Sequence, residues 1–79
     1  MTYRLLYFAS LAEQAGCSGE ERQSAARTPR ELYAEAAAAH GFRWATDRLR
    51  VAVNGRFVDW EAPLADRDEV VFVPPVSGG

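Results

Sequence analysis

The sequence predicts an α+β fold in the order strand, strand, helix, short strands, and three observations carry that reading. Two short apolar runs, Tyr3 to Phe8 and Glu69 to Val73, stand near opposite ends of the chain, too short for helices and rich in strand formers. Between them a single long segment, Thr28 to His40, carries start and stop signals for a helix. Asn54-Gly55 is the strongest tight-turn signal in the chain.

Taken in order, Tyr3 to Phe8 shows no apolar/polar alternation across its aromatic and aliphatic members and reads as a central strand buried on both faces. Ser10 with Glu13 three residues on has capping-box spacing, and Gly16 can end a helix, so Leu11 to Ala15 is expected to form one or two helical turns. The chain turns at Cys17-Ser18-Gly19. Glu20 to Ala26 is polar and suits an edge strand returning beside the first.

In the main helix Thr28 is the expected N-cap, Pro29 takes the first helical position and Glu31 closes a second capping box. Leu32, Ala36 and Ala39 share a face, the run Ala36 to Ala39 permits close approach to a sheet, and Gly41 is the stop. A polar connection through Trp44 and Asp47-Arg48 leads to a strand from Leu49 to Val53, the Asn54-Gly55 turn and a short strand Arg56 to Val58. Pro63 and Asp66-Arg67-Asp68 mark turns before the last strand, which ends where Pro74 removes a backbone donor.

Composition narrows the function classes. A chain of 79 residues has room for one core and no deep private active site. Its net charge of −2 offers no general attraction to nucleic acid or anionic lipid and favours a basic partner surface. With one cysteine, Cys17, and one histidine, His40, neither an internal disulfide nor a zinc or iron–sulfur site can be built within the chain. The apolar stretch at the N-terminus is too short for a signal peptide or a membrane span, so a cytoplasmic location is expected.

Chemistry is expected in the ending, Pro74-Pro75-Val76-Ser77-Gly78-Gly79. Two glycines there contribute nothing to a core, and they can pass where a side chain would clash. Pro74-Pro75 would stiffen the exit from the last strand and hold a narrow stalk off the body, with the Gly79 carboxylate as the reactive group. The expected organisation is therefore a domain over residues 1–73 and a flexible tail over 74–79.

Three stretches together resemble the small sulfur-carrier subunit of molybdopterin synthase, within the ubiquitin-like carriers. They are Leu6-Tyr7-Phe8-Ala9 leading into Leu11-Ala12-Glu13-Gln14-Ala15-Gly16, then Val51-Ala52-Val53-Asn54-Gly55, and the segment Leu64 to Gly79 with its Pro-Pro-Val-Ser-Gly-Gly ending. The resemblance implies a β-grasp, a mixed sheet crossed by the main helix with the first and last strands adjacent and parallel at its centre. It implies that Gly79 is adenylated by an ATP-dependent activating enzyme, converted to a thiocarboxylate, and donates sulfur to cyclic pyranopterin monophosphate in the large subunit. Gly78 would let both enzymes approach the last carbonyl. No bound cofactor is implied, ATP being used by the activating enzyme, and the implied assembly holds two small and two large subunits.

Phe57, Val73, Pro74, Pro75, Val76 and Ser77 form a candidate docking patch beside the tail, against the alternative that Phe57 and Val73 finish the core. Trp44, Trp60, Tyr33 and Phe42 are expected to pack rather than to stack on bases. Cys17 lacks a basic neighbour that would activate it, His40 is read as a helix-ending residue with no carboxylate beside it, and Asp66, Asp68 and Glu69 as solvated turn residues. Rival functions share the tail. They are a sulfur carrier for thiamine, cysteine or tRNA thiolation, a ubiquitin-like protein modifier, and a non-catalytic interaction domain.

Overall fold

The computed structural model describes residues 1–75, so Val76, Ser77, Gly78 and Gly79, and every expectation placed on them, lie outside the described residues. The elements are β1 (Thr2–Tyr7), α1 (Ala9–Ala15), β2 (Gly19–Gln23), α2 (Pro29–His40), β3 (Arg50–Val53), β4 (Arg56–Val58) and β5 (Glu69–Val73), with a 3₁₀ turn at Thr46–Arg48. Among the described residues the strands form one sheet in the order β2-β1-β5-β3-β4. β1 and β5 are parallel, with Arg4 opposite Glu69 and Tyr7 opposite Phe72, and the other pairings are antiparallel. This is the β-grasp sheet, with β2 as the expected edge.

One expectation is corrected. β1 is central in the sheet but is not buried on both faces: Tyr3, Leu5 and Tyr7 are buried while Arg4 is exposed and Leu6 half-buried. β5 alternates likewise, with Val70 and Phe72 inside and Glu69, Val71 and Val73 partly open. Both helices and the loops lie on one side, so the period-2 geometry of a strand leaves its alternate side chains uncovered. The core gathers Tyr3, Leu5, Tyr7, Val51, Val70 and Phe72 from the sheet with Leu11 of α1 and Leu32, Tyr33 and Ala36 of α2.

α2 starts as its sequence dictates. Thr28 Oγ1 accepts from the Glu31 N–H at 3.2 Å, and Pro29 sits in the first turn, where a missing N–H leaves nothing unsatisfied. The Glu31 carboxylate reaches back to the Arg27 N–H at 2.7 Å, one residue before the cap itself. Gly41 closes the helix at φ 74°, and its N–H donates to the Ala37 carbonyl. The buried face is Pro29, Leu32, Tyr33 and Ala36; Ala39, expected to share it, is exposed, and the last turn meets the sheet through His40 instead.

α1 departs from the sequence reading. Its N-cap is Phe8, with no side-chain cap, and Ser10 lies inside the helix, where its Oγ accepts from Trp44 Nε1–H at 2.9 Å. Ala9 takes a left-handed φ of 50°, which turns the chain out of β1 within one residue and leaves no extended residue at Ser10 to act as a cap. At the C-terminal end of α1 Gly16 adopts φ 75°, as its position predicts.

The turns explain residues that sequence had left to solvent. Asn54 at φ 52° and Gly55 at φ 85° join β3 to β4 with both central residues left-handed, the geometry of a tight hairpin. Asp66 Oδ1 accepts from the Thr2 N–H, Asp68 accepts from the Ala65 N–H and the Asn54 amide, and Asn54 Oδ1 accepts from the Glu69 N–H. The acidic turn is thus the clasp that sets the start of β5 beside β1 and β3. Tyr33, Phe42, Trp44 and Trp60 pack on the core, Tyr33 stacked on Phe42 and Trp60 on Phe72, as expected of them.

Candidate functional site

Because directly paired residues share a face, the register lists what the uncovered side of the sheet displays. One row runs Gly19, Leu6, Val71, Ala52, Phe57 across all five strands. It is an apolar stripe, ending on a Phe57 that is 61% exposed. Toward the start of β5 the next row on this face is charged, Glu21, Arg4 and Glu69, with Arg4 and Glu21 3.9 Å apart. Toward its end the next row is Val73 and Arg50. Gly19 has a steric reason to lack a side chain: a Cβ there would stand 3.0 Å from the Leu5 carbonyl oxygen and from the Leu6 side chain.

At the tail end, a groove of about 740 Å³ is lined by Phe8, Ala9, Ser10, Trp44, Arg48, Val73, Pro74 and Pro75. The left-handed turn at Ala9 presents Phe8 on its rim, 52% exposed, and the bond from Trp44 to Ser10 ties the opposite wall. Pro74 is buried, so the expected stalk does not begin there; Pro74 belongs to the body and Pro75 is the first exposed residue. Pro75 lines the groove just past the end of β5.

The expected patch is thus brought together in part. Phe57 and Val73 stand on the uncovered face and Val73, Pro74 and Pro75 at the groove, while Val76, Ser77, Gly78 and Gly79 lie outside the described residues. The structure adds Leu6, Phe8, Ala52, Val71, Arg48 and Arg50. The signal for Leu6 and Phe8 was present: Arg4 interrupts the apolar run at the parity of both, which marks that parity as the outward one.

His40 ends α2 as expected, but the reading that no carboxylate stands beside it is corrected. Its Nε2 lies 2.6 Å from Glu20 Oε2, and Tyr7 O–H donates to the same carboxylate oxygen. Burial raises the Glu20 carboxyl, but hydrogen bonds from Tyr7 and His40 and the nearby charges of His40 and Arg22 outweigh it and hold the group below its ordinary value. Burial, and then the bond to Glu20, push the Tyr7 phenol well above the usual range. Pairing His40 with a residue of β2 needs the α2–sheet packing, which local sequence does not encode. The cluster joins α2 to β1 and β2 on the covered side, and none of its three residues lines the groove. Among the described residues no set of three His, Cys, Asp or Glu is placed to hold a metal ion, and no helix is long and apolar enough to cross a membrane.

The sequence profile described as the ThiS family matches residues 5–79, nearly the whole chain. The chain belongs to the ThiS family. This ThiS-family chain is 40% identical over 80 aligned positions to the molybdopterin synthase sulfur carrier subunit of Escherichia coli K12, covering 96% of this chain and 98% of that protein. Among solved structures it is similar to SAMP1 of Haloferax volcanii, with a TM-score of 0.84, 27% identity and full coverage of both chains. It is also similar to a chain of the protein–protein complex of subunits 1 and 2 of the molybdopterin-converting factor from Helicobacter pylori, with a TM-score of 0.71, 25% identity and full coverage of both.

Proposed function

We propose that this chain is the sulfur carrier subunit of molybdopterin synthase, acting in the cytoplasm through a thiocarboxylate on Gly79. The observation that carries the proposal is the end-to-end similarity to the Escherichia coli sulfur carrier. An apolar sheet face leading to the Val73–Pro75 exit supports it, since a carrier must be gripped beside the group it delivers.

A carboxylate is a poor electrophile, because its charge is delocalised and oxide is a poor leaving group. In the proposed cycle a carboxylate oxygen of Gly79 attacks the α-phosphorus of ATP on an activating enzyme and pyrophosphate leaves. Sulfur at the level of hydrosulfide then displaces AMP from the acyl carbon, forming the thiocarboxylate. The sulfur is next delivered to cyclic pyranopterin monophosphate in the large subunit, and water releases the Gly79 carboxylate for another round. Each dithiolene takes two such deliveries, in keeping with an assembly of two small and two large subunits. The pairing in the Helicobacter pylori complex supports a large-subunit partner. Glycine at 78 and 79 suits a tail that two enzymes approach at its last carbonyl.

The test is reconstitution with the large subunit and the pterin precursor. Dithiolene should form with the thiocarboxylated chain and fail with Gly79→Val or with Gly79 deleted, while thermal unfolding stays unchanged. Normal product from Gly79→Val would overturn the tail mechanism. A second reading, a ubiquitin-like modifier joined to lysines through Gly79, is favoured by the similarity to Haloferax volcanii SAMP1. Intact mass of the chain from cells separates the two: replacement of one oxygen by sulfur marks the carrier, and slower-migrating covalent conjugates mark the modifier.

A further inference from the structure

The Arg50 guanidinium lies over the Phe57 ring, 4.4 Å from its centroid, at the edge of the apolar row. β3 and β4 place the two side chains on the same face, since Arg50 pairs with Val73 and Phe57 with Ala52. The cation–π contact holds the guanidinium against the ring, and Arg50 makes no side-chain hydrogen bond or ion pair among the described residues, so its N–H groups can bind a planar anion through two hydrogen bonds. Arg48 adds a second positive charge at the groove beside Pro74 and Pro75. Among the described residues neither arginine makes an ion pair, as is also true of Arg27, Arg43 and Arg56, but Arg50 is the one that lies on an exposed aromatic ring. A chain of net charge −2 thus still presents two arginines without an ion-pair partner at this end, although Asp47 and Asp59 are exposed close to them in sequence and register.

A surface that covers Phe57 must also cover the Arg50 that lies on it. Burying a guanidinium without a counter-charge is costly enough to oppose association, and among the described residues no carboxylate makes an ion pair with Arg50, the face's own Glu21 and Glu69 standing in the row at the other side of the apolar stripe. Resting on the reading of this face as the docking surface, we propose that the partner presents a carboxylate side chain against Arg50, so that an acidic group on the partner selects this carrier. The occupant is an acidic, apolar-centred protein surface. It is the reverse of the basic surface that net charge favours.

Arg50→Met gives a test with opposite signs, because methionine keeps apolar cover on Phe57 and removes the charge. Affinity of the full chain for the large subunit encoded by the same genome would be measured at about 50 mM and about 500 mM salt. The expected result is binding weaker by about tenfold or more at low salt, with the gap narrowing at high salt. Arg56→Met, the same charge change on the other face of β4, should bind like the unmodified chain. Arg50→Met binding equally well or more tightly would overturn the proposal, as would an equal effect of Arg56→Met, which would reduce it to net charge. Phe57→Asp separates this from failure of the docking reading. If Phe57→Asp binds normally, or the unmodified chain does not bind, both readings fall; if Phe57→Asp loses binding while Arg50→Met does not, only the carboxylate falls.

Discussion

Glu20 is a carboxylate that packing converts from an edge-strand polar residue into a junction between three elements. Its bonds to Tyr7 and His40 stabilise the ionised form, so its folded pKa lies below the unfolded value. The unfolded chain then binds the extra proton, and stability from this group is full above the ordinary carboxylate range and lost as pH falls through the folded value. Glu20→Gln should unfold more easily at neutral pH by about 1–3 kcal/mol, the usual loss for weakening a charged hydrogen bond. That gap should close on acidification, as followed by urea unfolding from neutral to acid pH. A gap independent of pH would show that shape rather than charge is what Glu20 supplies. Ala9 is the other residue whose role is positional, since its left-handed φ sets Phe8 on the rim of the groove.

Among the elements, α2 and the β1–β2 ladder depend on single residues for local reasons. Thr28→Ala removes the oxygen that accepts from the Glu31 N–H and should lower stability by about 1 kcal/mol, with Thr28→Asp recovering most of it in thermal melts. Gly19→Ala brings a methyl to 3.0 Å from the Leu5 carbonyl, a backbone atom that cannot rotate away. A loss of about 1–3 kcal/mol is expected, with faster amide exchange confined first to β2 and its partner residues on β1. Uniform acceleration across the sheet would instead indicate global unfolding.

At the scale of the molecule, the fold divides labour between the two faces of one sheet. Helices and loops cover Tyr3, Leu5, Tyr7, Val51, Val70 and Phe72, and the opposite parity of the same strands displays the stripe ending on Phe57. Phe57→Asp should therefore leave the melting temperature nearly unchanged while abolishing measurable binding to the large subunit by calorimetry. A large fall in melting temperature would place Phe57 in the core after all. β1 and β5, at opposite ends of the chain, are parallel neighbours, so loop closure precedes the central pairing, and folding is expected to be slower than in a helical protein of equal length. Stopped-flow refolding checks that.

Much of this was legible in the sequence because it is local. The Thr28 cap, the Gly16 and Gly41 stops, the Asn54-Gly55 hairpin and β5 depend on neighbours within a few residues, and each stands where its residues predict. Three stretches read together, the Pro-Pro-Val-Ser-Gly-Gly ending after its acidic turn being the most specific of them, also pointed to the family, as covalent order needs no fold to be read. What the tertiary structure alone decided is which side of each strand meets the core. One-sided coverage turned a seemingly uniform apolar run into an inner and an outer set, brought Glu20 to His40, buried Pro74 and laid Arg50 on Phe57. Those are contacts between residues far apart in the chain or on neighbouring strands, and their energies arise only once the sheet has closed and chosen a side.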